Sequence, residues 1–203
     1  LDYPEVVMSV IRTVVLSLAA SLLVGCAHNM TVKPDVEAVA SVPAQARIAK
    51  NVGLYISQEN RAKVVTSPGG GGDKVSYRPY ADLETGLYKV LGNVFQNVTL
   101  LSSMSDVDAI SKHSLMFVAA PEVTSTSSSS GIFTWMATDF TVGISCMITD
   151  VAGRPVVTVT ASGTGHADSS EVMKDFSRAG ERASLDALQK LQAELLRAPE
   201  LRR

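Results

Sequence analysis

Cysteine is almost absent from this 203-residue chain: there are two, Cys26 and Cys146. They form no CxxC pair and sit beside no histidine at zinc-ligand spacing, so neither a structural zinc site nor a disulfide framework is written here. Histidine is equally sparse. His28, His113 and His166 are far apart, and no second ligand follows any of them at the spacing a metal set or a nucleophile–base pair needs. No charge of one sign dominates, with 18 Lys and Arg against 20 Asp and Glu. A nucleic-acid module would be strongly basic, so that class is excluded. No apolar run approaches the roughly 20 residues that cross a bilayer. The run Gly69-Gly70-Gly71-Gly72 lacks the Gly-Lys-Ser/Thr of a phosphate loop, and no helix is expected after it. It reads as a mobile loop. No cofactor is expected and no catalytic residue can be named.

What is present begins near the N-terminus. Residues 14–24 are almost all apolar or small, a run of about 11, which fits a signal-peptide h-region. Arg12 is the only positive charge before it, and Met8-Ser9-Val10-Ile11-Arg12 makes a short basic start. Residues 1–7 are therefore expected to be an upstream extension. The run ends in Leu23-Val24-Gly25-Cys26, which resembles a bacterial lipobox: a branched apolar residue, a small residue, glycine, then the cysteine to be lipidated. The resemblance implies cleavage between Gly25 and Cys26, a diacylglycerol thioether on Cys26 and acylation of its new amino group. Several acyl chains at about 0.8 kcal/mol per buried methylene make a stable anchor. The next residue is Ala27 rather than aspartate, which by the same resemblance favours the outer membrane. The alternative is an ordinary anchor, or a signal cut by the general peptidase, with Cys26 incidental.

Removing Arg12, Asp2 and Glu5 with the signal segment leaves 17 basic and 18 acidic side chains on residues 26–203. A content of 46% hydrophobic and 19% charged residues suits one globular domain with a substantial core. With Cys26 acylated, Cys146 has no partner, so burial must supply the stability. The expected organisation is an extension and signal peptide (1–25), a lipidated cysteine and flexible tether (26–46), and a periplasmic domain (47–203). A flexible tether of that length would span roughly 25 Å.

Within the domain, Val52, Leu54 and Ile56 alternate, so residues 48–57 read as a strand. Residues 58–79 read as a long polar loop. Leu83, Leu87, Val90, Leu91, Val94 and Phe95 share one face of an expected helix over 80–97. A short strand is expected over 98–101. Asp106 and Asp108 read as a cap and turn before a short helical piece. Residues 115–124 read as a strand, with Pro121 marking an edge or bulge. The serine-rich run 124–130 reads as a loop. Phe140, Val142, Ile144, Cys146 and Ile148 alternate with polar residues, and 156–163 return after a turn at Gly153, giving an antiparallel hairpin. Cys146, on the inward set, reads as an inert thiol. A last helix over 175–197 carries Phe176, Ala179, Ala183, Leu188, Leu191 and Leu195 on one side and ends at Pro199. The expected fold is α+β: a two-layer sandwich of a mostly antiparallel sheet, with two amphipathic helices on one face and a polar opposite face.

Extending the hairpin alternation backwards points Phe133 and Trp135 outward, which suits contact with a partner or a membrane. A bulge near Ala137 and Thr138 would turn them inward instead. The element order, the turn Thr149-Asp150-Val151-Ala152-Gly153-Arg154-Pro155 and the C-terminal Ala/Leu helix, taken with the lipobox, resemble small outer-membrane lipoproteins of the YajG, ABC-transport-auxiliary and LptE kind over roughly residues 48–197. The resemblance implies a non-enzymatic protein anchored through Cys26 that docks on an envelope protein complex. A different class, a module binding a small lipid or glycan between helices and sheet, stays open. An enlarged apolar cavity under the 80–97 helix would favour it.

Overall fold

The computed structural model describes residues 27–70, 73–129 and 138–203. Its centre is a five-stranded sheet built from β2 (Ile48–Leu54), β5 (Phe95–Leu100), β6 (Leu115–Ser128), β7 (Asp139–Asp150) and β8 (Pro155–His166), in the order β5-β2-β6-β7-β8. A smaller sheet, β1 (Ala27–Asn29), β4 (Asp73–Tyr77) and β3 (Val65–Gly70), packs beside it in the order β1-β4-β3. Helices α1 (Gln58–Ala62), α2 (Pro79–Val94), α3 (Val107–Lys112), α4 (Ser169–Val172) and α5 (Arg178–Arg197) complete the chain with short 3-10 turns.

The two-layer α+β sandwich is as expected. The large sheet is mixed, however. The long β6–β7 and β7–β8 ladders are antiparallel, whereas β2 pairs with both β5 and β6 in parallel. The chain leaves β2, builds α1, the β3–β4 hairpin and α2, and only then lays down β5. A crossover of that length lets the next strand run in the same direction.

The two main helices follow their apolar stripes. Leu83, Leu87, Val90, Leu91 and Val94 of α2 are buried, as are Leu188, Leu191 and Leu195 of α5. Fully burying such a side chain contributes about 1.5–3 kcal/mol. Phe95, expected as the last helical contact, already belongs to β5 and packs edge-on against Phe117 with ring centroids 6.2 Å apart. Phe176, expected on the buried side of the last helix, precedes α5 and is 38% exposed. Phe176 lies in the turn that leads from α4 into α5, so the helical register, which starts at Arg178, does not reach back to it.

α5 lies unusually close to β8. Gly163 and Gly165 face Ala179, Ala183 and Ala187. A Cβ on Gly163 would land on the Ala183 carbonyl and the Ala187 nitrogen, and one on Gly165 would land on the Ala179 carbonyl and the Ala183 nitrogen. Along the same helix, Arg182, Asp186 and Lys190 reach the free edge of β8. Arg182 Nη1 donates to His166 O at 2.7 Å, Asp186 Oδ2 accepts from Thr164 N at 3.0 Å, and Lys190 Nζ donates to Ser162 O at 3.0 Å. Four helical residues rise about 6 Å and two strand residues about 6.7 Å, so the two stripes stay in step with the strand. Three of the outward backbone groups of this half of β8 are thereby occupied, which blunts an edge that could otherwise pair with another chain.

Three segments differ from the sequence expectation. Residues 58–79 are not a loop. Ser57 accepts from Asn60 N to cap α1, and β3 and β4 form a hairpin. Val75 and Tyr77 point inward from it, a pattern too short to register as periodicity. The run 124–128 continues β6 instead of looping. Its serines bridge the two sheets: Ser67 Oγ donates to Ser127 Oγ at 2.6 Å, Ser127 Oγ donates to Pro68 O at 2.6 Å, and Tyr77 Oη meets Ser125 Oγ at 2.8 Å. Hydroxyl pairing makes these positions buriable. Of residues 26–46, expected as a lipidated cysteine and flexible tether, 27–29 form β1 and 30–46 form a strap over the helices. Val32, Val39 and Val42 are buried. Val32 N donates to Asp82 Oδ2 at 2.9 Å, and Ala40 O accepts from Asn93 Nδ2 at 3.1 Å and Gln192 Nε2 at 2.9 Å. Three aperiodic valines leave no pattern to read.

Pro121 marks an edge, as expected. Ala119 O accepts from Tyr55 N, so Pro121, two residues on, turns its nitrogen to the same side, where β2 has already ended. The outer face of the sheet is less polar than expected: Leu101, Leu115 and Val118 form a second small core with Tyr55, Ala109 and Ile110 near α3. Of the glycine run, Gly69 and Gly70 belong to β3, and Gly71 and Gly72 lie outside the described residues.

Gly163→Ala is expected to destabilise the fold by about 3 kcal/mol, the upper end for overpacking against backbone. Gly153 has φ of +80° and open space around it, so Gly153→Ala should cost only about 1 kcal/mol, for backbone strain alone. Urea unfolding of the two variants beside the parent checks both values and their order.

Candidate functional site

The sequence-derived site residues Gly25, Cys26, Phe133 and Trp135 lie outside the described residues. The described residues next to them identify one end of the domain. Ala27 opens β1 and is paired with Lys74, which is paired across β4 with Pro68. Pro68 O is held by Ser127 at the end of β6. The connection that carries Phe133 and Trp135 leaves from Ser128 and returns at Asp139, which face each other in the ladder. The end of β8, α4 and the turn into α5 close the same end, because Asp139 pairs with His166.

His166 sits there between two carboxylates. Its Nδ1 is 2.7 Å from Asp139 Oδ1 and its Nε2 is 3.4 Å from Asp168 Oδ1. The hydrogen bond to Asp139 is the main reason its pKa is raised, and the same bond lowers that of Asp139. Thr138 donates to the other Asp139 oxygen at 2.9 Å. Alongside, Arg182 holds Glu171 through two hydrogen bonds of 2.8 and 3.0 Å, and with the Asp168 backbone N–H brings the Glu171 carboxyl down to about 2. Both imidazole nitrogens face carboxylates, so neither is turned toward a nucleophile. The arrangement stitches β7, β8, α4 and α5 together at their common end.

The remaining candidates stand apart. Cys146 is 1% exposed on β7, and burial pushes its thiol up to about 12, which removes the thiolate at neutral pH. Asp106 caps α3 by accepting from Ala109 N and also accepts from Ser102 Oγ, the structural role expected of it. His113 ends α3. Among the described residues no group of three or more His, Cys, Asp and Glu side chains could hold a metal ion. The leucines and valines of α2 are buried in the main core together with α5 and the large sheet. A surface cleft of ≈ 380 Å³ opens on the far face of the sheet, lined by Tyr55, Asn60, Met104, Glu122 and Met147. Sequence reading could not find the His166 cluster, because its members come from three elements with no common spacing.

The Asp139–His166 contact has a defined pH window. A raised histidine pKa contributes stability that is fully present below about 6.5 and lost as pH rises through the folded value. The lowered pKa of Asp139 contributes stability present above about 3.9 and lost as pH falls through its folded value. The contact is therefore strongest between the two. In an NMR titration the His166 midpoint should lie above 6.5, and Asp139→Asn should bring it down. Cys146 should not react with a maleimide at pH 8 in the folded protein and should react fully once unfolded.

No protein-family model matches the chain, and no curated protein matches it. Solved structures with a similar course include a PelC dodecamer from Paraburkholderia phytofirmans at 17% identity, covering 75% of this chain and 94% of that one, with a TM-score of 0.42. A Xanthomonas campestris protein of the DUF330 family is 12% identical over 84% of this chain and 91% of that one, with a TM-score of 0.42. A minor lipoprotein from Acinetobacter baumannii is 15% identical over 74% and 91%, with a TM-score of 0.35. At these values the likenesses assign this chain neither a family nor an activity.

Proposed function

We propose that this protein is a lipid-anchored accessory of the bacterial envelope. It is held at the periplasmic face of the outer membrane through Cys26, and it docks on a larger envelope assembly without catalysing a reaction. The observation that carries this reading is the lipobox Leu23-Val24-Gly25-Cys26 closing an apolar segment of signal-peptide length. Two features of the domain support it. Among the described residues the apolar side chains of α2 are buried in one continuous core with α5 and the large sheet. Ser128 and Asp139, which flank the segment that carries Phe133 and Trp135 in the sequence, lie at the same end of the domain as Ala27. The resemblance to the YajG, ABC-transport-auxiliary and LptE kind points to the same role, with transport, secretion or cell-wall machinery as the partner class.

Crosslinking in cells, followed by purification from membranes in mild detergent and mass spectrometry, tests the reading. An envelope complex should co-purify with the parent and be lost with Cys26→Ala, which should also leave the membrane fraction. Phe133→Ala with Trp135→Ala should keep the protein in the membrane and lose the complex. A bound lipid or glycan in place of any protein would replace docking by ligand binding. Full membrane association of Cys26→Ala would overturn the anchor.

A further inference from the structure

We propose that the end of the domain formed by Ala27, Lys74, Met173, Lys174 and Phe176 is a lipid-contacting surface that lies flat against the membrane beside the anchor; this rests on the reading of Cys26 as the acylated residue. The reason is the absence of slack. A tether of about 20 free residues would let the domain float roughly 25 Å away. Instead the residue bonded to Cys26 is already a sheet residue: Ala27 pairs with Lys74, His28 with Val75 and Asn29 with Ser76. From there the strap is bound to the domain without interruption, through Met30 N to Ser76 O, Thr31 N to Ser177 Oγ and Val32 N to Asp82 Oδ2. One residue reaches about 3.8 Å. Acyl chains on Cys26 therefore hold whatever surrounds Ala27 at the level of the lipid headgroups.

What surrounds Ala27 suits that level. His28 is stacked on Phe176 with ring centroids 6.2 Å apart, and Phe176 keeps 38% of its surface exposed. Met173, three residues earlier, is 72% exposed. Lys174 is exposed next to Met173 in the chain, Lys74 is exposed on the same face of the small sheet as Ala27, and neither ammonium is ion-paired among the described residues. Apolar tips flanked by lysines whose stems bury while their charges stay in the headgroups are the composition of an interfacial contact. Two apolar side chains would hold a bilayer weakly on their own. Tied one residue from an anchor, they act at high effective concentration and set orientation rather than affinity. The opposite end of β6, where α3 lies, is then carried roughly 40 Å away along a 14-residue strand.

The buried thiol of Cys146 makes the test clean, because an introduced surface cysteine is the one that labels. Met173→Cys and, at the far end, Val107→Cys (the parent Val107 is 72% exposed) are made in the full-length chain and expressed in bacteria. Each is labelled with an environment-sensitive maleimide dye and reconstituted into vesicles of phosphatidylethanolamine and phosphatidylglycerol. Intact-mass measurement reports acylation of Cys26. The expected result is an acylated chain whose dye at 173 shifts to the blue and loses iodide quenching on reconstitution, while the dye at 107 does neither. Adding Phe176→Ser should restore part of the iodide quenching at 173. An acylated chain with both positions equally open to iodide would overturn the surface contact and leave the anchor standing. A chain with no acyl mass on Cys26 would overturn both.

Discussion

The fold depends on how closely one helix can lie on one strand. Gly163 and Gly165 have no side chains, and Ala179, Ala183 and Ala187 have small ones, so the backbones of β8 and α5 nearly touch. That approach sets the depth at which Leu188, Leu191 and Leu195 enter the core. It also brings Arg182, Asp186 and Lys190 within hydrogen-bond reach of the β8 edge. One row of small residues thus fixes the layer spacing, and a parallel row of polar residues binds three backbone groups of the β8 edge. A longer side chain in the first row would pull the second out of reach.

The strap follows from the same geometry. With α5 seated on β8, α2 and α5 lie side by side, and the chain from 30 to 46 crosses both. Asn93 and Gln192, one from each helix, both donate to Ala40 O, and Asn93 Nδ2 also donates to Gln192 Oε1. Val32 and Val39 fill the surface above. The segment expected to separate the domain from its anchor is thereby part of the domain. Ala27 is thereby tied through β1 to the small sheet and, through its serine contacts, to the end of β6.

Much of the fold was legible as pattern. Alternation over 140–148 and the 3.6-residue stripe of 83–94 each state a periodicity and a buried face, and both hold in the structure. The capping role of Asp106 and the edge role of Pro121 follow from local chemistry that needs no distant partner. The segments misread were those whose burial depends on a partner far away in sequence. Serines 125 and 127 are strand residues because Tyr77 and Ser67 answer them. Phe176 is exposed because it sits in the turn before α5, ahead of the helical stripe that would have buried it.

The sequence by itself determined the lipobox pattern, the absence of a catalytic or metal-binding set at recognisable spacing, and the two-layer α+β class. Each of these is a matter of residue type and short-range spacing. Only the tertiary structure decided that β2 is parallel to both its neighbours, that the tether is a strap, and that His166 meets Asp139 and Asp168. Those facts rest on which elements come to lie side by side, and no local periodicity encodes that. The same holds for the end of the domain around Ala27. Ala27, Lys74 and Phe176 are scattered along the chain, and it is sheet register and one ring stack that bring them together.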